Sequence, residues 1–126
     1  MAAEAQQLAE LTLCDLADAI GAGDLTATEV MAATLTRIEH LDPHLNAFIW
    51  CDAERAMERA READVALQRG DDVGPLHGVP LAHKDMFYRP GRPTTCGSRI
   101  RQEFEGQETA TVLRRLDQAG GIEVGT

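Results

Sequence analysis

The chain has 126 residues, 44% hydrophobic and 26% charged, which is the profile of a soluble globular protein and the length of one domain or part of one. Its formal net charge of -9 and pI near 4.8 argue against a phosphate-backbone binder, because no basic face can be assembled against that background. The first ten residues hold no Lys or Arg and no apolar core of secretory length, and no run approaches the roughly 18 apolar residues of a membrane span. Cys14, Cys51 and Cys96 are odd in number, widely spaced and without a CxxC pair. They read as reduced thiols, so the expectation is a cytoplasmic protein that binds neither membrane nor nucleic acid, with no disulfide framework and no zinc site.

Residues 1–10 read as a frayed or helical lead-in. Thr12 with Asp15 forms a weak capping box, followed by Leu13, Leu16, Ala17 and Ile20 at helical spacing, and Gly21 to Asp24 stops that helix. Thr26 with Glu29 is a stronger box; Val30, Met31, Leu35 and Ile38 form the apolar stripe behind it, and Asp42-Pro43 is expected to end the helix. Ala47-Phe48-Ile49-Trp50 reads as a short buried strand. Asp52 then caps a helix over 53–68 with an inner face of Ala53, Ala56, Met57, Ala60 and Leu67 and an outer face of Glu and Arg.

Gly70-Asp71-Asp72 is an exit loop, and residues 79–83 are the next expected strand. The chain turns irregular through Tyr88-Arg89-Pro90-Gly91-Arg92-Pro93. Thr109 caps a last helix over 110–119 with Val112, Leu113 and Leu116 inward, Gly120-Gly121 ends it, and Ile122-Glu123-Val124 opens another strand. Helix, short strand, helix, short strand is the rhythm of an α/β protein with a substantially parallel sheet. A strand begun so close to Thr126 leads to the expectation that the sequence is a piece of a larger α/β domain.

One residue stands out chemically. Lys84 is the only lysine; the other eleven of the twelve basic residues are arginines. Arginine stays protonated at ordinary pH, whereas a lysine made neutral by burial can accept a proton, and Lys84 follows directly on an apolar strand. The plain alternative is a strand-end surface lysine beside Asp85, a pair of little energetic worth. Asp85 itself either orients the site through hydrogen bonds or caps the following turn. His77, His83 and Cys96 match no metal-ligand spacing, nothing marks a base for Cys96, and Gly91 and Gly97 do not form a phosphate loop. Ser98, the only serine, lies fourteen residues from Lys84, so a Ser98–Lys84 dyad stands against a structural role for Ser98 in a Pro- and Gly-rich loop.

The run Gly74-Pro-Leu-His-Gly-Val-Pro-Leu-Ala-His-Lys-Asp85 resembles the amidase signature family. The likeness continues through Arg92-Pro93-Thr94-Thr95-Cys96-Gly97-Ser98, the helix at 110–116 and the strand ending in Gly125-Thr126, and extends back to about Leu11. The resemblance implies the N-terminal part of an α/β/α sandwich with a mixed sheet, all 126 residues belonging to a single truncated amidase domain. It implies hydrolysis of a carboxamide C–N bond in a small-molecule amide by a Ser–cis-Ser–Lys arrangement, without metal or organic cofactor. Lys84 falls at the position of the catalytic lysine, as the proton-relay base. The two catalytic serines of that family lie farther along, in a serine- and glycine-rich segment that this sequence lacks; Ser98 matches the Thr–Thr–x–Gly–Ser element instead. The chain alone is therefore expected to be inactive. Within the family the second reading is the glutaminase-type component of a tRNA-dependent amidotransferase, and outside catalysis a non-catalytic truncated product.

Overall fold

A computed structural model describes Leu8 and residues 10–126. Residues 1–7 and 9 lie outside it, and with them most of the expected lead-in. The elements in chain order are α1 (Leu13–Ala22), α2 (Ala27–Leu45), α3 (Ala53–Arg69), β1 (Pro80–Ala82), a 3-10 turn (Arg99–Arg101), α4 (Thr111–Gln118) and β2 (Ile122–Gly125).

Both expected capping boxes form. The Thr12 hydroxyl accepts from the Asp15 amide and the Thr26 hydroxyl from the Glu29 amide, and each acid reaches back to its cap amide. The Thr12 hydroxyl and amide hold the Asp15 carboxyl below its usual value, and the Thr26 amide and hydroxyl do the same for Glu29. A depressed carboxylate contributes above its ordinary range and loses that contribution as acid protonates it, so both boxes weaken at low pH.

The start of α2 has a further anchor. Asp64 of α3 accepts from the Ala27 amide (2.7 Å), the Thr28 amide (3.1 Å) and the Thr28 hydroxyl. With Thr26 serving Glu29, the first three amides of α2 all have partners, two of them supplied by a residue some 36 positions away.

α2 and α3 pack on each other, and α3 lies against β2. The main core joins Ala27 and Met31 of α2, Ala56, Ala60 and Ala63 of α3, and Ile122 and Val124 of β2. Three alanines at helical spacing make a low ridge, which lets Met31 and the strand approach the α3 backbone closely. A second cluster, Ile20, Val30 and Val79, ties α1 to the approach of β1.

β1 and β2 pair in parallel, with Pro80 opposite Ile122, Leu81 opposite Glu123, and an irregularity before Ala82 meets Gly125. On the other side of β2, the Ile49 and Trp50 amides donate to the Thr126 carbonyl (2.7 and 3.2 Å), and Cys51 bridges Gly125 antiparallel. The α/β class and the small, predominantly parallel sheet match the expectation. The segment 74–79 seats on the end of α4: the Leu76 amide donates to Ala119 (2.7 Å) and the Gly78 amide to Gly120 (3.0 Å). Gly78 has φ +77°, and a Cβ there would stand 2.6 Å from the Ala27 methyl, so this position admits no side chain.

Several local expectations are corrected. Pro43 does not end α2. Its missing N–H falls in the last turn, where one lost bond is tolerated; the helix stops at Asn46, in the left-handed region at φ 49°. The Asp42 carboxylate then accepts from the Ala47 and Phe48 amides (2.8 and 3.0 Å). Residues 47–50 form no regular strand and Ile49 is two-thirds exposed. Ala53 is exposed and Ala63 takes its place on the inner face of α3. Leu13 and Val112 are exposed, and α4 starts at Thr111 after Ala110, with no side-chain cap from Thr109.

Removing the anchor between α2 and α3 should be costly. Asp64→Ala strips three donors of a partly buried, charged acceptor, and equilibrium urea unfolding should show a loss of about 2 kcal/mol. A loss below about 0.5 kcal/mol, the range of an ordinary surface substitution, would show that solvent replaces Asp64 without penalty.

Candidate active site

Lys84 stands just past the carboxyl end of β1. The His83 amide continues the pairing to the Gly125 carbonyl (3.3 Å), and the chain then turns sharply. The Lys84 carbonyl accepts from the Met86 amide (2.7 Å) and the Phe87 amide (3.4 Å), and the His83 ring meets the same oxygen through Nδ1 at 3.0 Å. The backbone is thus pinned while the side chain stays exposed. The burial that would make a lysine neutral is not supplied by the described residues.

Asp85 spends its carboxylate on the loop opposite. Its two oxygens accept from the Thr95 amide (3.0 and 3.1 Å), and Oδ2 also accepts from the Thr95 hydroxyl at 2.5 Å. Its backbone carbonyl accepts from the Cys96 amide (3.0 Å). The Thr95 hydroxyl in turn accepts from the Gly97 amide (3.0 Å), and Thr94 beneath it is buried, with its amide on the Phe104 carbonyl. Asp85 is therefore the clasp between the Lys84 turn and the Thr94–Ser98 segment. No ion pair joins it to Lys84 among the described residues.

The other singled-out residues have structural employment. His77 Nε2 donates to the Ala63 carbonyl (2.9 Å), fastening the approach of β1 to α3. The Ser98 amide donates to the Thr95 carbonyl (2.9 Å) and its own carbonyl accepts from Arg101, and no hydrogen bond links Ser98 to Lys84 among the described residues.

Sequence reasoning missed one group beside Lys84. Glu123, in the middle of β2, contacts Arg92 Nη2 and lies 2.6 Å from Arg89 Nε and 3.2 Å from His83 Nε2. Arg89 also forms a two-pronged bond to Asp117 at the end of α4 (2.9 and 3.0 Å). These partners, Asp117 foremost, hold the Arg89 guanidinium protonated above its usual range against the opposing effect of partial burial. Arg92 lies over the Trp50 ring, 4.4 Å from its centroid. The available signal was a carboxylate inside an otherwise apolar strand, which requires cations from elsewhere in the chain. A cleft of about 210 Å³ opens over Trp50, Arg89, Arg92 and Glu123; Lys84 is not in its wall. No helix among the described residues is long and apolar enough to cross a membrane.

Residues 29–126 match the family model described as Amidase. The chain is 44% identical over 114 residues to the A-type component of the glutamyl-tRNA(Gln) amidotransferase of Halorhodospira halophila, covering 90% of this chain and 23% of that protein. Among solved structures it superposes on the peptide amidase of Stenotrophomonas maltophilia with a TM-score of 0.83 and 36% identity, over 94% of this chain and 24% of that one. A fatty acid amide hydrolase gives a TM-score of 0.92 at 23% identity, over 99% of this chain and 22% of that one, a likeness of fold alone. The chain spans about a quarter of the length of the relatives it matches. It belongs to the amidase (amidase signature) family.

Proposed function

We propose that this chain is the N-terminal portion of an amidase that hydrolyses a carboxamide C–N bond, with Lys84 as the proton-relay base. The observation that carries the reading is the placement of Lys84: an exposed ammonium at the carboxyl end of a parallel strand, on a backbone turn held from three directions, in a chain of the amidase family. Carboxyl ends of strands are where α/β sheets assemble their sites.

In this reading neutral Lys84 takes the proton of a serine hydroxyl through a second, bridging serine as the first attacks the carboxamide carbon. The proton passes to the departing amine as the C–N bond breaks, and water then hydrolyses the acyl-serine ester by the same relay. Both serines lie in the protein beyond residue 126, since Ser98 is the only serine here and is held in the loop clasped by Asp85. The remainder of the protein also supplies the desolvation that a neutral lysine requires. The reaction uses no metal or organic cofactor, and its substrate is a small-molecule amide.

A second reading has specific support in the 44% identity to the glutamyl-tRNA(Gln) amidotransferase component. There the same relay would release ammonia from glutamine for transfer by a complex, and ammonia delivery to a partner distinguishes it from simple hydrolysis. A chain that ends naturally at Thr126 would instead be a non-catalytic product.

In the full-length protein, Lys84→Ala should lower kcat for amide hydrolysis by ~10²–10⁴-fold with an unchanged melting temperature, as expected for loss of a general base whose side chain adds little packing. An active Lys84→Ala enzyme ends the reading. The purified 126-residue chain should hydrolyse no simple amide; turnover by that chain, abolished by Ser98→Ala, would restore the dyad. Asp85→Ala should speed exchange of the Thr95 amide by more than about tenfold, because it removes a charged acceptor from that donor. Unchanged exchange would show that the clasp is unimportant to the loop.

A further inference from the structure

The proposed relay makes no use of Glu123, although its carboxylate gathers Arg89, Arg92 and His83. Leu81 faces Glu123 across the parallel pair, and the Glu123 side chain is only 15% exposed, as is fitting for a strand interior that ordinarily carries apolar residues. Stability does not account for it. Partly buried ion pairs rarely outperform apolar residues of similar volume. This one is also poorly satisfied, for Arg89 Nε and Glu123 Oε1 are buried without a directed hydrogen bond despite their close ionic neighbours.

The hydrogen-bond roles define a route from Glu123 to the lysine. The Lys84 carbonyl can only accept, so His83 Nδ1 carries the hydrogen. Arg92 can only donate, and its Nη2 lies 2.8 Å from His83 Nε2, the shorter of the two contacts at that nitrogen. Glu123 Oε1 lies 3.2 Å from that same Nε2 and holds the Arg92 guanidinium that donates between them. Trp50 backs the guanidinium from the other side. The contacts therefore run from Glu123 to Arg92, from Arg92 to His83 Nε2, and from His83 Nδ1–H to the Lys84 carbonyl.

We propose that Glu123, through Arg92 and His83, is a positioning residue that fixes the Lys84 backbone turn for catalysis. The inference rests on the reading of Lys84 as the base. Its physical content is that β1 ends at Ala82, so the sheet itself no longer fixes the lysine, and the charged route replaces the missing ladder bonds. Misplacing a catalytic group by about 1 Å costs on the order of 10²-fold in rate.

The test uses the full-length enzyme with three variants beside Lys84→Ala. Glu123→Gln removes the charge at constant shape. His83→Leu cuts the route at its last step but leaves Arg92 and Glu123 paired, so it keeps the test decisive if Glu123→Gln does not fold. His83→Asn restores an N–H near the Nδ1 position. Glu123→Gln and His83→Leu should each lower kcat by ~10–100-fold with KM within about twofold, and His83→Asn should recover most of the His83→Leu loss. Activity in Lys84→Ala refutes the base and leaves the network without a catalytic object. With Lys84→Ala inactive, a folded His83→Leu enzyme at full kcat, or a His83→Asn enzyme no faster than His83→Leu, overturns the positioning role alone.

Discussion

Parallel pairing of two short strands is the constraint from which the arrangement follows. Antiparallel neighbours can be joined by a two-residue turn, but parallel ones require the chain to leave the sheet, travel its length and return. β1 ends at Ala82 and β2 begins at Ile122, so everything between them is a crossover. That crossover is unusual in having only one helix of eight residues, α4, and a long irregular stretch ahead of it. The irregular part must be held by something other than a ladder or a helix. Asp85 with Thr95 and Cys96 closes it at one end, the Ala110 amide on the Tyr88 carbonyl (2.7 Å) closes it at the other, and the Arg89–Asp117 fork ties its middle to α4. Lys84 sits at the first residue where these ties take over from the sheet.

The same geometry explains why a carboxylate is tolerated in β2. A parallel strand covered on both faces has no solvent to turn a charge toward, and an unpaired carboxylate there would be prohibitive. The crossover returns over the sheet edge with two arginines, and both reach Glu123. Guanidinium suits the task better than ammonium because its fork engages two partners at once, as Arg89 does with Asp117 and Glu123. The chain's near-exclusive use of arginine thus has a structural side at this site, and it sharpens the contrast with its one lysine.

What was legible in the sequence is what depends on neighbours in the sequence. Both capping boxes, the Asp52 cap, the stop at Gly70 and the two strands were readable because the cause of each lies within four residues. Most of the errors have the opposite property, and Pro43 is a contest between local signals. Ala47 to Trp50 is apolar and compact, yet only Ile49 and Trp50 find backbone partners, both at Thr126, and the bonding is too irregular to make a strand. The local preference of Pro43 points to a helix end, although what ends α2 is the left-handed Asn46 and the Asp42 carboxylate reaching beyond the proline. Asp64 looks like one more charge on the outer face of α3 until α2 is laid across it. The family likeness located Lys84, but nothing local announced that Glu123, Arg89, Arg92 and His83 would meet, since they come from β2, the end of β1 and the loop between.

Under the role proposed for Lys84, its exposure shows how one segment can meet only half of what a lysine base needs. Such a residue must be held in place and must also be kept neutral, and these demands have different physical sources. Holding it requires short, directional bonds to its backbone, which the Met86 amide, the Phe87 amide and the His83 ring supply locally. Keeping it neutral requires removal of water from the ammonium, a matter of how much protein lies over it. Rigid bonds cannot substitute for that cover, and an anion beside the lysine would work against it by stabilising the charged form. The arrangement respects this. Asp85, next in sequence and the nearest available anion by position, is fully engaged by Thr95, and Glu123 is engaged by arginines. Glu123 is thereby paired with cations and Asp85 is turned to the opposite loop, so neither carboxylate forms an ion pair with Lys84 among the described residues.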